Sequence, residues 1–463
     1  MAENKLVPTE LGTEKISTLL KRYAVPAIIA MTASSLYNMV DSIFIGQGVG
    51  ALAISGLAVT FPLMNLSTAF GTLVGVGGAT ILSILLGQKN YEGARKVLGN
   101  IFSLNIIIGL LFMIVSLMFL DPILRFFGAS EATLPYAREY MRIILWGNVI
   151  THLYFGLNSA MRSSGRPKTA MGLTLFKVIF NSLLDPLMIF VFDMGISGAA
   201  WATVISQVIA LVIIIFLFSD KRNVLHFEKG LVRLDWRIAR DSTEIGMGPF
   251  LMNAASCIVT IFINRQLLKY AGDLGIGAYG ICNRFTFLFF MICMGLNQGM
   301  QPIAGYNYGA RKYTRVYEVY VRTMAMASVI LTVATLICLF FPRLSSSIFT
   351  HDPQLLEQSA HGMRILNCML WLVGVSAITT NFFQSLGMIR QSIFLSLTRQ
   401  LLILVPLIYV LPIFMGADGV WWSFPISDLL AFVMAVAFGV PLVKKMRRTP
   451  DGADPSVFGG KIQ

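Results

Sequence analysis

Seven ionisable side chains lie embedded in long apolar stretches of this sequence: Asp41, Lys177, Asp185, Arg265, Arg284, Arg399 and Asp428, with Arg142 and Arg364 nearer the ends of such stretches. An ionised group in hydrocarbon is expensive unless it is paired or hydrated, so each position is a candidate for function. The acids offer the most definite chemistry. Asn181 stands one helical turn before Asp185 on the same face, Lys177 one turn earlier still, and Pro186 frees a backbone carbonyl one turn back. Two carboxylates, joined by the amide of Asn181 and the hydroxyl of Thr203, can coordinate a hard cation or share a proton once withdrawn from water. A proton shared in this way belongs to the pair and not to either acid. The competing structural account is that Lys177 and Asp185 form an ion pair, Asp41 caps a local turn, and Asn181 and Thr203 are interhelical glue.

The elements that must position these groups follow from composition. Hydrophobic residues make up 56% of the 463 and charged residues 13%, with a mean hydropathy of +0.72. A water-soluble domain carries roughly twice that charged fraction. A bilayer core ~30 Å thick needs roughly 20 mostly apolar residues per crossing helix. Such runs recur at 20–45, 52–86, 98–120, 136–161, 169–193, 197–219, 242–268, 275–303, 317–341, 360–386, 391–414 and 419–443, which predicts an all-α integral membrane fold of twelve transmembrane helices. The net charge of +13 then reads as topology and not as a nucleic-acid footprint. Lys21, Arg22, Lys89, Arg95, Lys96, Arg162, Arg166 and Lys168 fall on one side, as do Lys221 to Arg240, Arg311 to Arg322, Arg390, and Lys444 to Arg448. Few basic residues fall on the other side, so both termini are expected in the cytoplasm. The five cysteines sit in apolar spans without metal-ligand spacing, and no cleaved presequence is evident. With spans 1 and 5 running outward, Asp41 and Asp185 each lie ~22–24 Å of helix rise from their starts, and Thr203 lies at a similar level on span 6.

A shift of about 222 residues lays the chain on itself. Pro26 meets Pro249, Met141-Arg142-Ile143 meets Met363-Arg364-Ile365, and Gly195-x-x-Gly198-x-x-Trp201 meets Gly416-x-x-Gly419-x-x-Trp422. Gly87 with Gly93-Ala94-Arg95-Lys96 meets Gly305 with Gly309-Ala310-Arg311-Lys312. The expected organisation is two pseudo-symmetric six-helix lobes, 1–219 and 242–463, joined by a cytoplasmic linker, 220–241. Six spans per lobe make the repeat parallel, the pattern of several alternating-access carriers. The acids are confined to the first lobe: Asp41 matches Asn264 and Asp185 matches Leu407, whereas Lys177 matches Arg399.

Across nearly the whole chain the sequence resembles the multidrug and toxic compound extrusion (MATE) family, in its DinF-like or MepA-like branch. The resemblance rests on Leu36-Tyr37-Asn38-Met39-Val40-Asp41 with Gly46, on Asn181-Ser-Leu-Leu-Asp185-Pro186, and on Gly198-Ala-Ala-Trp-Ala-Thr203. Gln298-Gly-Met-Gln-Pro302 and Tyr306-Asn307-Tyr308-Gly309 complete it. It implies an antiporter in a bacterial cytoplasmic (inner) membrane that exports amphipathic or cationic compounds in exchange for H+ or Na+, with no other cofactor and expected as a monomer among membrane lipids. Asp41, Asn181, Asp185 and Thr203 match the cation-site positions of that branch residue for residue, and Asn158 matches a cavity position. Tyr37, one turn from Asp41, and Met64 are further candidates for the substrate cavity. Pro26 and Pro186 are candidate hinges. Asn283 and Arg284 form a candidate polar site in the second lobe. Thr379-Thr380-Asn381 stands where the NorM-like branch carries a carboxylate, which argues against a sodium site there.

Two rivals bear on the same residues. An intramembrane aspartyl enzyme would use two buried aspartates, yet neither is accompanied by a Gly-x-Gly-Asp motif. His152, His226, His351 and His361 are scattered, and no P-loop signature provides for ATP. A flippase of lipid-linked precursors is the nearer alternative, and it calls for a strongly cationic cavity where the motif cluster here is acidic.

Overall fold

The computed structural model describes residues 8–49, 51–228, 233–349 and 352–458, which form helices and short turns with no β-strand among them. Residues 229–232 of the expected linker, and His351, lie outside the described residues. The first six long helical segments are α1 (Ile16–Gly48), α2 (Ala51–Gly87), α3 (Tyr91–Met118), α4 (Leu134–Trp146 continued by Asn148–Ser163), α5 (Pro167–Val191) and α6 (Gly195–Ser219). The second six are α7 (Trp236–Gly272), α8 (Leu274–Gly309), α9 (Tyr313–Phe340), α10 (Pro353–Asn367 with Leu370–Ser385), α11 (Ile389–Met415) and α12 (Ala417–Arg448). Nine of these are long and apolar enough to span a bilayer singly, and α10 joins them as a span bent by 49°. The remaining two are α1, which carries Tyr37 and Asp41, and α4, which is divided at Gly147 into segments of 13 and 16 residues. Side chains such as Leu111 (62% exposed), Phe216 (77%) and Phe414 (79%) turn outward. Apolar surface of this kind on helix after helix needs a lipid surround, which fits the all-α membrane architecture expected above.

The chain folds as two compact units. One holds the residues up to Thr13 together with Ile29–Phe250, the other Glu14–Ile28 with Leu251 onward. In the first unit α2 crosses the early turns of α7 backbone to backbone: a Cβ on Gly77 would stand 1.9 Å from the Ser242 carbonyl oxygen, and one on Gly246 would stand 1.8 Å from that of Leu73. In the second unit α8 crosses the early turns of α1 in the same manner, with Gly299 against Ala24 and Gly295 against Ile28. Gly77 and Gly299 are equivalent under the repeat, so the duplication preserves a close helix crossing that only glycine permits. Gly272, at φ 65° and ψ −164°, breaks the α7–α8 hairpin in a conformation that excludes a side chain.

Two helices that carry candidate residues are locally unwound. Past Asp185-Pro186, α5 continues as a π-helical turn over Leu187–Val191, and α11 is π-helical over Thr398–Leu404. Widened turns of this kind free carbonyls and recur at functional sites. The segment after α6 folds back on its own unit, with Phe227 edge-on to Phe102 and Phe218 and with Glu228 bound by Arg95 and His226.

Candidate functional site

The first unit gathers side chains from α1, α5 and α6 at one level. The Tyr37 hydroxyl on α1 lies 2.9 Å from the Thr203 hydroxyl on α6. The Asn181 amide on α5 donates to Thr203 Oγ1 at 3.4 Å and to Asp185 Oδ1 at 3.4 Å. Asn181 and Asp185 are fully buried and Asp41 is 5% exposed, so bulk water does not solvate these carboxylates. Asp41 lies within electrostatic range of Asp185, and Tyr37 and Tyr140 lie within range of both.

The oxygens left without hydrogen bonds are more informative than the bonds themselves. Among the described residues, Asp41 Oδ1, Asn181 Oδ1 and Asp185 Oδ2 are buried and accept no hydrogen bond. A buried oxygen without a donor is costly, and these three acceptors, on α1 and α5, are of a kind that a proton, a cation or a water can satisfy. The donor set is all oxygen, with two carboxylates, an amide and a neighbouring hydroxyl. That chemistry suits a proton or a hard monovalent cation and offers nothing to a soft metal.

The structure also decides against the local ion pair. Lys177 does not meet Asp185; its ammonium sits over the Tyr154 ring, 5.0 Å from the centroid, and the Tyr154 hydroxyl is 3.1 Å from Thr174 Oγ1. Among the described residues, neither Asp41 nor Asp185 takes part in an ion pair. Asn158 lies apart from the cluster, bonded to the Ala170 carbonyl at 3.1 Å and accepting from Arg162 at 2.7 Å. Met64 packs between two apolar clusters of the unit and receives the Thr60 hydroxyl on its sulfur at 3.7 Å. Pro26, read as a hinge, belongs to the second unit, whereas Pro186 leads directly into the π-turn. In the second unit Asn283 and Arg284 are exposed, and Arg399 Nε is bonded to buried Asp428 at 2.7 Å.

Two features of the first unit escape sequence reasoning. Tyr140 is buried beside both acids, and under the repeat its counterpart is Gly362; the one trace of it in the sequence is that mismatch between the halves. Buried His152 lies 3.2 Å from Ser67 Oγ, which donates to Asn148 Oδ1 at 2.5 Å, while Asn148 donates to the Gly109 carbonyl at 3.2 Å. This network knits α2, α3 and α4 together. Its sequence signal is no more than three polar residues within otherwise apolar runs.

Comparison with known proteins follows the same lines. The MatE family model matches residues 26–187 and 245–410. The chain is 29% identical over 417 residues to the multidrug export protein MepA of Staphylococcus haemolyticus (strain JCSC1435), spanning 90% of this chain and 92% of that protein. The protein of the same name from Staphylococcus aureus (strain N315) is 28% identical over the same length. Among solved structures, the MATE multidrug transporter DinF-BH aligns with a TM-score of 0.86 at 34% identity, over 92% of this chain and 96% of its own. An outward-facing MATE family transporter of the MOP superfamily aligns with a TM-score of 0.90 at 23% identity, over 96% of this chain and all of its own, a likeness of fold.

Proposed function

The chain belongs to the MatE family, and from that premise we propose that it is a multidrug exporter of a bacterial cytoplasmic membrane that moves amphipathic cations outward in exchange for H+ or Na+ by alternating access. Both termini then lie in the cytoplasm, where the basic loops concentrate. The enzyme reading lapses with the family assignment, since the relatives are transporters.

The observation that carries the reading is the set of three buried acceptor oxygens on Asp41, Asn181 and Asp185. With the cation absent, these oxygens repel one another and favour an arrangement in which water or a cationic drug reaches them. With the cation bound, they are drawn together, and helices α1 and α5 follow. Asp41 and Tyr37 share one face of α1, so a movement that closes the oxygens on an ion also moves the tyrosine that faces the drug. The Tyr37–Thr203 and Asn181–Thr203 contacts are the joints through which α1, α5 and α6 sense one another. The π-turn after Pro186 gives α5 somewhere to bend. Drug and ion thus bias one two-state element in opposite directions, which is the requirement for coupled exchange. Energetically the demand is modest: one proton moving down a difference of one pH unit supplies about 1.4 kcal/mol, enough for roughly tenfold drug accumulation.

The test is counterflow of a dye cation in proteoliposomes with pH and sodium gradients imposed separately. Efflux driven by one gradient in the wild-type protein, and lost in Asp41→Asn with the protein still folded, supports the reading. Gradient-driven efflux at the wild-type rate from Asp41→Asn and from Asp185→Asn would refute it.

A further inference from the structure

Beyond α12 the chain folds back on the second unit and reaches the start of α9. Asp451 Oδ1 accepts from the Thr314 backbone N–H at 3.0 Å and from the Thr314 hydroxyl at 3.2 Å. The Gly452 N–H donates to the Arg311 carbonyl at 2.8 Å, and the Tyr313 hydroxyl donates to the Ala453 carbonyl at 2.8 Å. A 3₁₀ turn over Pro455–Phe458 then buries Phe458, with its ring centroid 4.7 Å from that of Tyr313 and 6.3 Å from that of Tyr308. From α12, Lys445 donates to the Val457 carbonyl at 2.5 Å and stands 5.9 Å from the Phe458 ring centroid. Tyr308 belongs to Tyr306-Asn307-Tyr308-Gly309 at the end of α8, a run that ion exchange does not use.

The repeat shows what the Asp451 contact replaces. Helices α3 and α9 begin alike. Lys89 and Arg311, which the shift of about 222 residues superposes, take φ 61° and 58°. The residues that follow, Asn90 and Lys312, take φ −86°, ψ 76° and φ −98°, ψ 70°. Asn90 caps its own helix by accepting from the Gly93 N–H at 2.9 Å. Lys312 carries no acceptor on its side chain, and no side-chain bond caps α9 from that position.

An uncapped first turn leaves backbone N–H groups without partners, and it lies at the positive end of the helix dipole. Asp451, 137 residues beyond Thr314, brings both an acceptor and a negative charge to that turn. The first unit has a fold-back segment of its own after α6, which grips α3 through Phe102 and Arg95 but leaves the cap to Asn90.

We propose that the segment after α12 is a clasp. It lends α9 the N-cap that Lys312 cannot give and, through Phe458, holds the adjoining ends of α8, α9 and α12 as one body. In alternating access a lobe rocks largely as a rigid block, so a frayed α9 slows the conformational step. That consequence rests on the transport reading, whereas the cap does not.

Hydrogen exchange of the full-length protein in detergent tests the clasp, with α3 as the internal control. Asp451→Ala should speed exchange across the first turn of α9 by about fivefold, the loss of one N-cap, and leave the first turn of α3 unchanged. Asp451→Asn keeps the acceptor and should retain protection, and Lys312→Asn should restore it in the Asp451→Ala background. Phe458→Ala should also loosen α9, and should lower kcat for dye efflux severalfold at unchanged KM. Unaltered exchange in Asp451→Ala, or a rise shared equally by α3 and α9, overturns the proposal, as does efflux at the wild-type rate from Phe458→Ala. Failure of the wild-type protein to move the dye strikes the transport reading alone, because the exchange comparison needs no transport.

Discussion

The two units share a scaffold and differ in what they do with buried charge. In the first, Asp41 and Asp185 lie within electrostatic range of each other with no ion pair among the described residues, and Lys177, two turns before Asp185, turns aside to the Tyr154 ring. In the second, the position equivalent to that lysine is Arg399, and it is held by buried Asp428 on α12. The places equivalent to Asp41 and Asp185 are Asn264 and Leu407, which cannot ionise. The first unit therefore leaves buried carboxylate oxygens without donors among the described residues, while the second pairs its buried Asp428 with Arg399. A satisfied pair has no reason to exchange with a gradient, whereas unsatisfied oxygens have every reason to. What the duplication retained is the glycine crossing seen at Gly77 and again at Gly299.

The contrast can be broken by experiment. The largest effect is expected from Asp41→Asn or Asp185→Asn, either of which should abolish gradient-driven efflux while leaving the melting temperature near wild type, since an amide relieves an unpaired acid without creating a cavity. In the second unit the expectation is reversed: Asp428→Asn leaves Arg399 without its partner and should cost stability on the order of 3 kcal/mol, read as a lowered Tm in detergent. The double variant Asp428→Asn with Arg399→Met should recover much of that loss, because neither charge is then stranded.

Next come the shared crossings. Gly77→Ala and Gly299→Ala should each destabilise by about 1–3 kcal/mol, and by similar amounts, since each Cβ would strike backbone. A large disparity would mean that the two crossings are not equivalent. Thr203→Val removes the hydroxyl shared by Tyr37 and Asn181 and should cost about 1 kcal/mol of coupling, near fivefold in ion affinity, in flux titrations against the driving cation. The smallest effect is expected at the surface, where Arg343→Ala breaks a pair with Glu357 and should change stability by no more than about 0.5 kcal/mol.

Much of the architecture is legible in the residues alone. Long apolar runs place helices reliably because a bilayer leaves the backbone no other way to satisfy itself, so most span limits fall within a few residues of the helices described. Larger departures come at α3, α7 and α10, which begin at Tyr91, Trp236 and Pro353, and at α8, which runs on to Gly309. Polar turns at these ends extend a helix beyond the lipid without changing its span. The acids stand out because an ionisable residue in an apolar run has few innocent explanations. Tyr140 and the His152 network are harder to see, since a tyrosine or histidine in a span is unremarkable until its neighbours are known.

Period and composition are enough to establish a twelve-helix membrane protein built from two copies of one pattern, with the pair of unmatched acids in the first copy. Those properties survive any arrangement of the helices. It took the packing of the helices to turn Lys177 away from Asp185, to bring Tyr37 to Thr203, and to leave three oxygens without donors. Such outcomes depend on which face each helix turns to its neighbour. A rotation of one residue, about 100°, would redirect every one of these side chains without disturbing the apolar pattern that defines the span.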